Sequence, residues 1–422
     1  MKQRIVLHRV VLLTLALGLL VPGLASCSPA ATPEGTTPPA ATTAPVATTA
    51  PVATPPPEPN EAPKEPIRIG TSIELTGAAG WIGQDKNHGL TMAIEEINAE
   101  GGILGHPLVL VPCDHADQPD QAISCVRRLA EVEDVVVIAS GGNSSTTLAS
   151  MPILEEYELP LLAMSETNPR ITEEGGVGGN QWIFRTNPND QQMAEAFADY
   201  LAGAADSFCT LAVNNDWGRG AIETMRPLLD AQGVEILSED YFEQGQPDYR
   251  PTLTRMKGLN PGGIYLIMEA RDAATFIRQY RELGMTAPVF ARGSVVTHEF
   301  LAATEDDPSL GEGIIEATLA STSLDAALEQ RYLARWGTMP ALHGALNYVG
   351  MRYVLAEAIE IALRDTGEAT PSSIRDALES VSVDTALMGN LEFDDHHQAH
   401  PVMVLQQIQG GEIVLLETLP TD

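Results

Sequence analysis

The chain has 422 residues, more than one hydrophobic core normally serves, so two lobes with additional segments are expected. Its charge is one-sided: 24 basic residues against 57 acidic ones give −33, in a composition that is 44% hydrophobic. That balance excludes nucleic acid and an anionic membrane surface as partners, because both require a positive face that displaces counterions.

Lys2, Arg4 and Arg9 precede an apolar run over residues 10–21, closed by Pro22 and Gly23. The run is shorter than the ~20 residues a spanning helix needs and reads as an export signal over residues 1–26. Leu24-Ala25-Ser26-Cys27 resembles a bacterial lipobox, which implies cleavage before Cys27 and acylation of that cysteine. Several acyl chains on one residue give stable membrane anchoring. Residues 27–65 repeat ATTAPV and contain almost no large apolar side chain, so they cannot bury enough surface to fold. They read as a tether which, extended by proline at ~3.1 Å per residue, reaches on the order of 100 Å.

Strands and helices alternate from Ile67 onward. The strand IRIGTSIEL leads to a helix with Leu90, Ala93, Ile94 and Ile97 on one face, stopped by Gly101-Gly102. PLVLV, DVVVIAS, LPLLAM and WIFRT follow as short apolar strands. Cys113 ends one of these strands, and Cys125 shares a helical core face with Ala122, Val126 and Leu129. In an exported protein these two cysteines are a disulfide candidate, the other reading being two buried free thiols; Cys209, in the strand CTLAV, reads as an inert core residue. A second series of strands and helices starts near Asp190, and the late helices and two terminal strands must complete the two lobes. The pattern predicts an α/β fold of two Rossmann-like lobes with parallel sheets, an N-terminal lobe of 66–188 plus 316–388 and a C-terminal lobe of 189–315 plus 389–422.

Open parallel sheets bind ligands at the carboxyl ends of their strands, where helix N-termini offer free N–H groups. Polar segments fall at such ends in both halves: 76–83, 141–147, 165–169, 214–218, 269–272 and 292–294. The segment GGNSSTT at 141–147 lacks the lysine and spacing of a phosphate loop and lacks G-x-G-x-x-G. It suits a small carboxylate held by N–H groups and hydroxyls, or its serines merely cap a helix. No nucleophile and base pair of a hydrolase is evident. CDHAD (113–117) reads as turn and capping residues and DDHHQAH (394–400) as a solvated turn, neither with a zinc spacing, so no metal or cofactor is expected.

IRIGTSIELTGAAGWIG, EEINAEGGILGHPLVLV, GGNSSTTLASMPILEEYELPLLAMSETNP, FRTNPND, NNDWGRG and LEFDDHHQAHPVMVLQQ together resemble the branched-chain amino acid type of ABC-transporter solute-binding protein, of periplasmic binding protein fold type I. The resemblance covers residues 66–422. It implies two lobes joined by a three-crossover hinge that closes on a solute, and a monomer that delivers an amino acid to an ABC permease and its ATPase from the outer face of the membrane. It places Asn143, Ser144 and Thr167 on the ligand carboxylate and Ser165 in the ligand site beside them, with Trp81 or Ile82 and Trp217 covering the ligand. The family pairs the ligand ammonium with an acid near Ser294, where no acid stands; Glu269, Asp216 or Glu166 are the substitutes, and Arg271 would favour a second anionic group. The alternatives are a sensing receptor for an amide or small carboxylate with the same fold, and an exported hydrolase.

Overall fold

The structure is a computed structural model that describes residues 64–419 and 421. The expected export signal, Cys27 and nearly all of the tether lie outside the described residues. In chain order the first series is β1 (Ile67–Ile73), α1 (Gly80–Ala99), β2 (Leu108–Asp114), α2 (Pro119–Glu131), β3 (Val137–Ala139), α3 (Ser144–Glu156), β4 (Leu161–Ala163), α4 (Arg170–Glu173) and β5 (Ile183–Arg185). The second is α5 (Asp190–Ala204), β6 (Ser207–Val213), α6 (Asp216–Ala231), β7 (Glu235–Phe242), α7 (Arg250–Leu259), β8 (Gly263–Met268), α8 (Ala270–Glu282), β9 (Val289–Gly293), α9 (His298–Ala303) and β10 (Ile315–Thr318). There follow α10 (Ala326–Trp336), α11 (Leu342–Val349), α12 (Ala356–Thr366), α13 (Pro371–Leu378), the hairpin β11 (Ser382–Thr385) and β12 (Gly389–Glu392), then β13 (Met403–Gln409) and β14 (Glu412–Leu419).

The first sheet has the order β2-β1-β3-β4-β5, all parallel. The second contains β7-β6-β8-β9-β10, the same order repeated, extended by β13 and β14. In each sheet the strand order reverses at the first strand, the point where open α/β sheets bind ligands. The second sheet is not parallel throughout: β13 and β14 are antiparallel. Gly410 and Gly411, at φ 61° and 81°, form the two-residue turn between them, a conformation that favours a tight hairpin over a helical crossover.

The chain crosses between lobes after β5, after β10 and again over residues 393–402. The expected division at 316 therefore cuts β10, which belongs to the second sheet, and the one at 389 cuts the β11–β12 hairpin. The expectation of a solvated turn at 394–400 holds only in part: Asp394, Asp395, His396 and His400 are exposed, whereas His397, Gln398 and Ala399 are buried. His397 stacks on Phe184 at 3.9 Å between ring centroids, and Gln398 is buried against Arg185, whose Nε donates to Gln398 Oε1 at 2.7 Å. A fully buried guanidinium needs acceptors, and this crossover supplies one.

Apolar side chains fill both faces of each sheet. One core runs through both lobes beneath α1, α5, α6, α11 and α12; separate cores lie under α2 and α3 and under α7 and α8. Cys113 and Cys125 are joined by a disulfide with their Cα atoms 5.7 Å apart, and Cys209 is buried and free. Helices α1 and α11 cross at Gly89 and Gly344. Asp85 of α1 caps α11, accepting from Ala341 N at 3.3 Å and from Gly344 N. A Cβ on Gly89 would stand 2.0 Å from the Gly344 carbonyl oxygen, so the helices touch backbone to backbone. Gly89→Ala must separate them and is expected to cost about 1–3 kcal/mol in denaturant unfolding. Gly203→Ala, exposed in α5 with open space around it, should leave stability unchanged or slightly raised; equal midpoints for both variants would contradict this packing.

Candidate functional site

The carboxyl edges of the two sheets face one another across a cavity. One wall is Glu74 after β1, Ala79, Ile82 and Lys86 of α1, Gly142 to Ser144 at the start of α3, Ser165 to Thr167 after β4, and Leu342 and His343 of α11. The other includes Asn215 and Trp217 of the β6–α6 turn, Phe242 and Gln244 after β7, Glu269 and Asp272 around the start of α8, and Arg292 and Gly293 of β9. The space open to the centres of water-sized spheres is about 60 Å³, several waters' worth at ~10–15 Å³ each, so the occupant is a small solute.

On the first wall the segment 141–147 builds a helix start. Gly142 has φ 93°, and a Cβ there would stand 2.3 Å from His115 Nε2, so no other residue fits. Asn143 and Thr146 form a capping box, and the Asn143 amide donates to Asp117. The Asn143 side chain is therefore spent on the fold. The Ser144 hydroxyl accepts from Asn168 N at 3.2 Å and keeps its own proton to donate, and the first-turn N–H groups of α3 have no partners within the helix. Lys86 Nζ ties this turn to β1 through Gly142 O (2.5 Å) and Glu74 Oε1 (2.9 Å), both side chains being 2% exposed. Burial opposes charge on each. Lys86 and then His115 nonetheless hold Glu74 below the usual carboxylate range, and Glu74 and then Glu166 hold Lys86 above the usual lysine value.

Glu166 accepts four donors: Gly141 N at 3.0 Å and Ser140 Oγ at 3.3 Å on one oxygen, Met164 N at 2.8 Å and Ser165 N at 2.9 Å on the other. A carboxylate has about four lone-pair positions. Glu166 thus locks two strand ends together and has nothing left for a ligand ammonium. Thr167 Oγ accepts from Arg292 Nη2 at 3.0 Å, while Arg292 is ion-paired with Asp190 and lies over the Trp217 ring at 5.9 Å.

The second wall is acidic. Glu269 Oε2 accepts from Ser294 Oγ and lies 3.3 Å from His343 Nε2; burial pushes its carboxyl up, but His343 and Ser294 outweigh burial and hold it below its ordinary value. Asp272 Oδ1 accepts from Tyr249 Oη at 2.8 Å and Gly245 N at 2.9 Å, and burial pushes its carboxyl up. The cleft is closed: besides the Arg292–Thr167 and His343–Glu269 contacts, Asn168 Nδ2 donates to Asp216 O at 2.8 Å.

Of the residues singled out in the sequence, Ile82, Asn143, Ser144, Ser165, Glu166, Thr167, Trp217 and Glu269 line the cavity. Trp81 does not; it packs at the rim, with the Arg271 guanidinium 4.9 Å from its ring and Arg271 paired to Glu299 at 2.7 Å. Ser294 lies behind Glu269, and Asp216 is exposed. Lys86 and His343 escaped sequence reasoning, while Asp272 and Arg292 fell within polar strand-end segments without being singled out as ligand contacts. Two had a signal: Lys86 falls on the apolar face of α1 between Ile82 and Leu90, and Asp272 lies one helical turn from Glu269. Among the described residues no group of metal-ligating side chains converges, and no helix is long and apolar enough to cross a membrane.

Paired sheets of one repeated order, closed at their carboxyl edges on a small polar cavity, agree with the match of residues 66–412 to the periplasmic binding protein family. The chain belongs to that family. It is 27% identical over 333 residues to an amino acid binding protein of Pseudomonas aeruginosa, covering 78% of this chain and 86% of the relative. It is 26% identical to a Leu/Ile/Val-binding protein of Rhizobium johnstonii, covering 74% and 84%. The branched-chain amino acid transporter substrate binding protein LivJ of Streptococcus pneumoniae, solved with isoleucine, superposes with TM-score 0.73 at 22% identity, covering 84% of this chain and 99% of that one. A solute binding protein of Rhodopseudomonas palustris, solved with 3,4-dihydroxybenzoic acid, gives 0.75 at 20%, covering 84% and 97%. One fold thus accepts different solutes, and the wall residues decide between them.

Behind the second wall Glu316 accepts from Val295 N (2.7 Å) and Val296 N (2.8 Å), fixing the turn after β9; burial pushes its carboxyl up to about 7. An acid raised in the folded state binds its proton more tightly there than when unfolded. Its stabilising share is complete below the unfolded value and is lost as pH rises through about 7. Stability measured between pH 5 and 8 should therefore fall more steeply for the wild type than for Glu316→Gln; parallel profiles would contradict an ionising Glu316.

Proposed function

We propose that the protein captures an amino acid in this cleft and delivers it to a membrane permease driven by a cytoplasmic ATPase. The observation that carries the reading is the polarity of the cavity. The start of α3 offers N–H groups and the Ser144 hydroxyl to a carboxylate, while Glu269 and Asp272 on the opposite wall offer carboxylates to an ammonium. Asp272 takes the role that the resemblance assigned to an acid near Ser294. Trp217 and Ile82 cover the solute's carbon skeleton. The names of the relatives, an amino acid binding protein and a Leu/Ile/Val-binding protein, agree with this solute class. They lend no support to the sensing or hydrolytic alternatives.

Amino acids at a hundred times their Kd should raise unfolding free energy by about 2.7 kcal/mol. Trp217→Ala, which strips an aromatic wall from the cavity, should weaken binding about tenfold or more. A calorimetric screen of amino acids with no binder at millimolar concentration would overturn the reading.

The chain is further proposed to be exported and held at the outer face of the membrane by lipid on Cys27, with residues 27–65 as tether; the lipobox-like Leu24 to Cys27 supports this. Labelled palmitate should enter the wild-type protein and not Cys27→Ser, which should be released from the membrane; equal labelling of both would remove Cys27 as the anchor.

A further inference from the structure

We infer that the solute carries a net positive charge, an amino acid with a second cationic nitrogen, and that Glu269 and Asp272 together grip that charge. The inference rests on the reading of the cleft as an amino acid site and names the substrate class within it.

The charges of the cavity do not balance. Glu74, Glu166, Glu269 and Asp272 line it against Lys86 and Arg292, and both cations are already answered, Lys86 by Glu74 and Arg292 by Asp190. Glu166 is compensated by backbone N–H groups and a hydroxyl. That leaves Glu269, which lies beside His343, and Asp272, which accepts from the neutral groups Tyr249 Oη and Gly245 N, without a lysine or arginine partner. Both are more than nine-tenths buried, at 8% and 5% exposure.

Each keeps one oxygen in reserve. The donors to Glu269 all fall on Oε2, and those to Asp272 on Oδ1. Glu269 Oε1 and Asp272 Oδ2 have no hydrogen-bond partner among the described residues, yet neither is among the side-chain atoms sealed from solvent without one. Both oxygens therefore remain accessible, on residues that line the cavity. The two residues lie at i and i+3 where α8 begins, on one face of the helix, and the positive end of α8 works against the burial that raises Asp272. A zwitterion of zero net charge leaves the negative surplus of the wall uncompensated. A solute with a second cationic nitrogen neutralises it, and buried charge is tolerated only when it is paired.

The test compares L-ornithine with L-leucine, which have equal numbers of heavy atoms and differ in side-chain branching and in the terminal cationic nitrogen, by titration calorimetry on the ligand-stripped protein. L-Ornithine is expected to bind at least about tenfold more tightly. Glu269→Gln and Asp272→Asn, which keep the shape of each side chain and a carbonyl acceptor, should each weaken ornithine roughly thirtyfold or more, and weaken leucine, which brings only its α-ammonium, by a smaller factor. Unchanged unfolding midpoints for the two variants separate loss of the clamp from loss of the fold. Leucine binding as tightly as ornithine, or ornithine insensitive to both substitutions, overturns the cationic class and leaves the amino acid reading standing. Binding of neither amino acid, nor of any other in the wider screen, overturns the amino acid reading itself.

Discussion

Lys86 and Glu74 are withdrawn from water together, and much of the cleft is organised around answering charges buried in this way. Each ionisable group on the cavity wall had a hydration shell in the unfolded chain, and the fold must replace it or leave a cost of several kcal/mol. Lys86 is met by Glu74 and by the carbonyl of Gly142, which fixes the loop that starts α3. Glu166 is met by backbone N–H groups on two neighbouring strand ends, which fixes how far those ends stand apart. Arg185, fully buried at the end of β5, is met by carbonyls of the loop after β4 and by Gln398 from the last crossover. The site is therefore rigid where charges are answered by the protein. It is receptive at Glu269 and Asp272, where an oxygen of each is not.

Closure of the lobes follows the same logic. Arg292 belongs to the second sheet but spends one nitrogen on Thr167 of the first lobe, and Glu269 reaches His343 of α11. These polar contacts form only when the two carboxyl edges meet. A bound solute adds its own bonds to both walls, so it favours the closed arrangement by whatever differential affinity it has for that state. The crossing of α1 and α11 at Gly89 and Gly344 holds this part of the first wall together backbone to backbone.

Strand and helix periodicity made the repeated α/β layers legible, because apolar runs of strand length alternate with amphipathic helices. The antiparallel β13–β14 pair was less so: its signal was two adjacent glycines, read only in hindsight as a hairpin turn. The site divides in the same way. Segments at strand ends were legible from topology, and most of the residues picked there line the cavity. What a linear reading missed was direction. Asn143 and Glu166 stand in the right place with their side chains committed to caps and backbone, whereas Lys86 precedes the apolar helical pattern read from Leu90 onward and Arg292 stands only as one member of a polar strand end. The stretch at 394–400 looked solvated because it is polar, and it is in part buried because Arg185 requires an acceptor there.

The central claim is that a solute lies between the start of α3 and the start of α8 with its cationic nitrogen on Glu269 and Asp272. Determination of the structure with the bound solute tests it most directly. The account predicts a solute nitrogen within hydrogen-bond reach of Glu269 Oε1 and Asp272 Oδ2 and its carboxylate at the Ser144 turn. A solute seated in the cleft with an anionic or apolar group against those two carboxylates would contradict it.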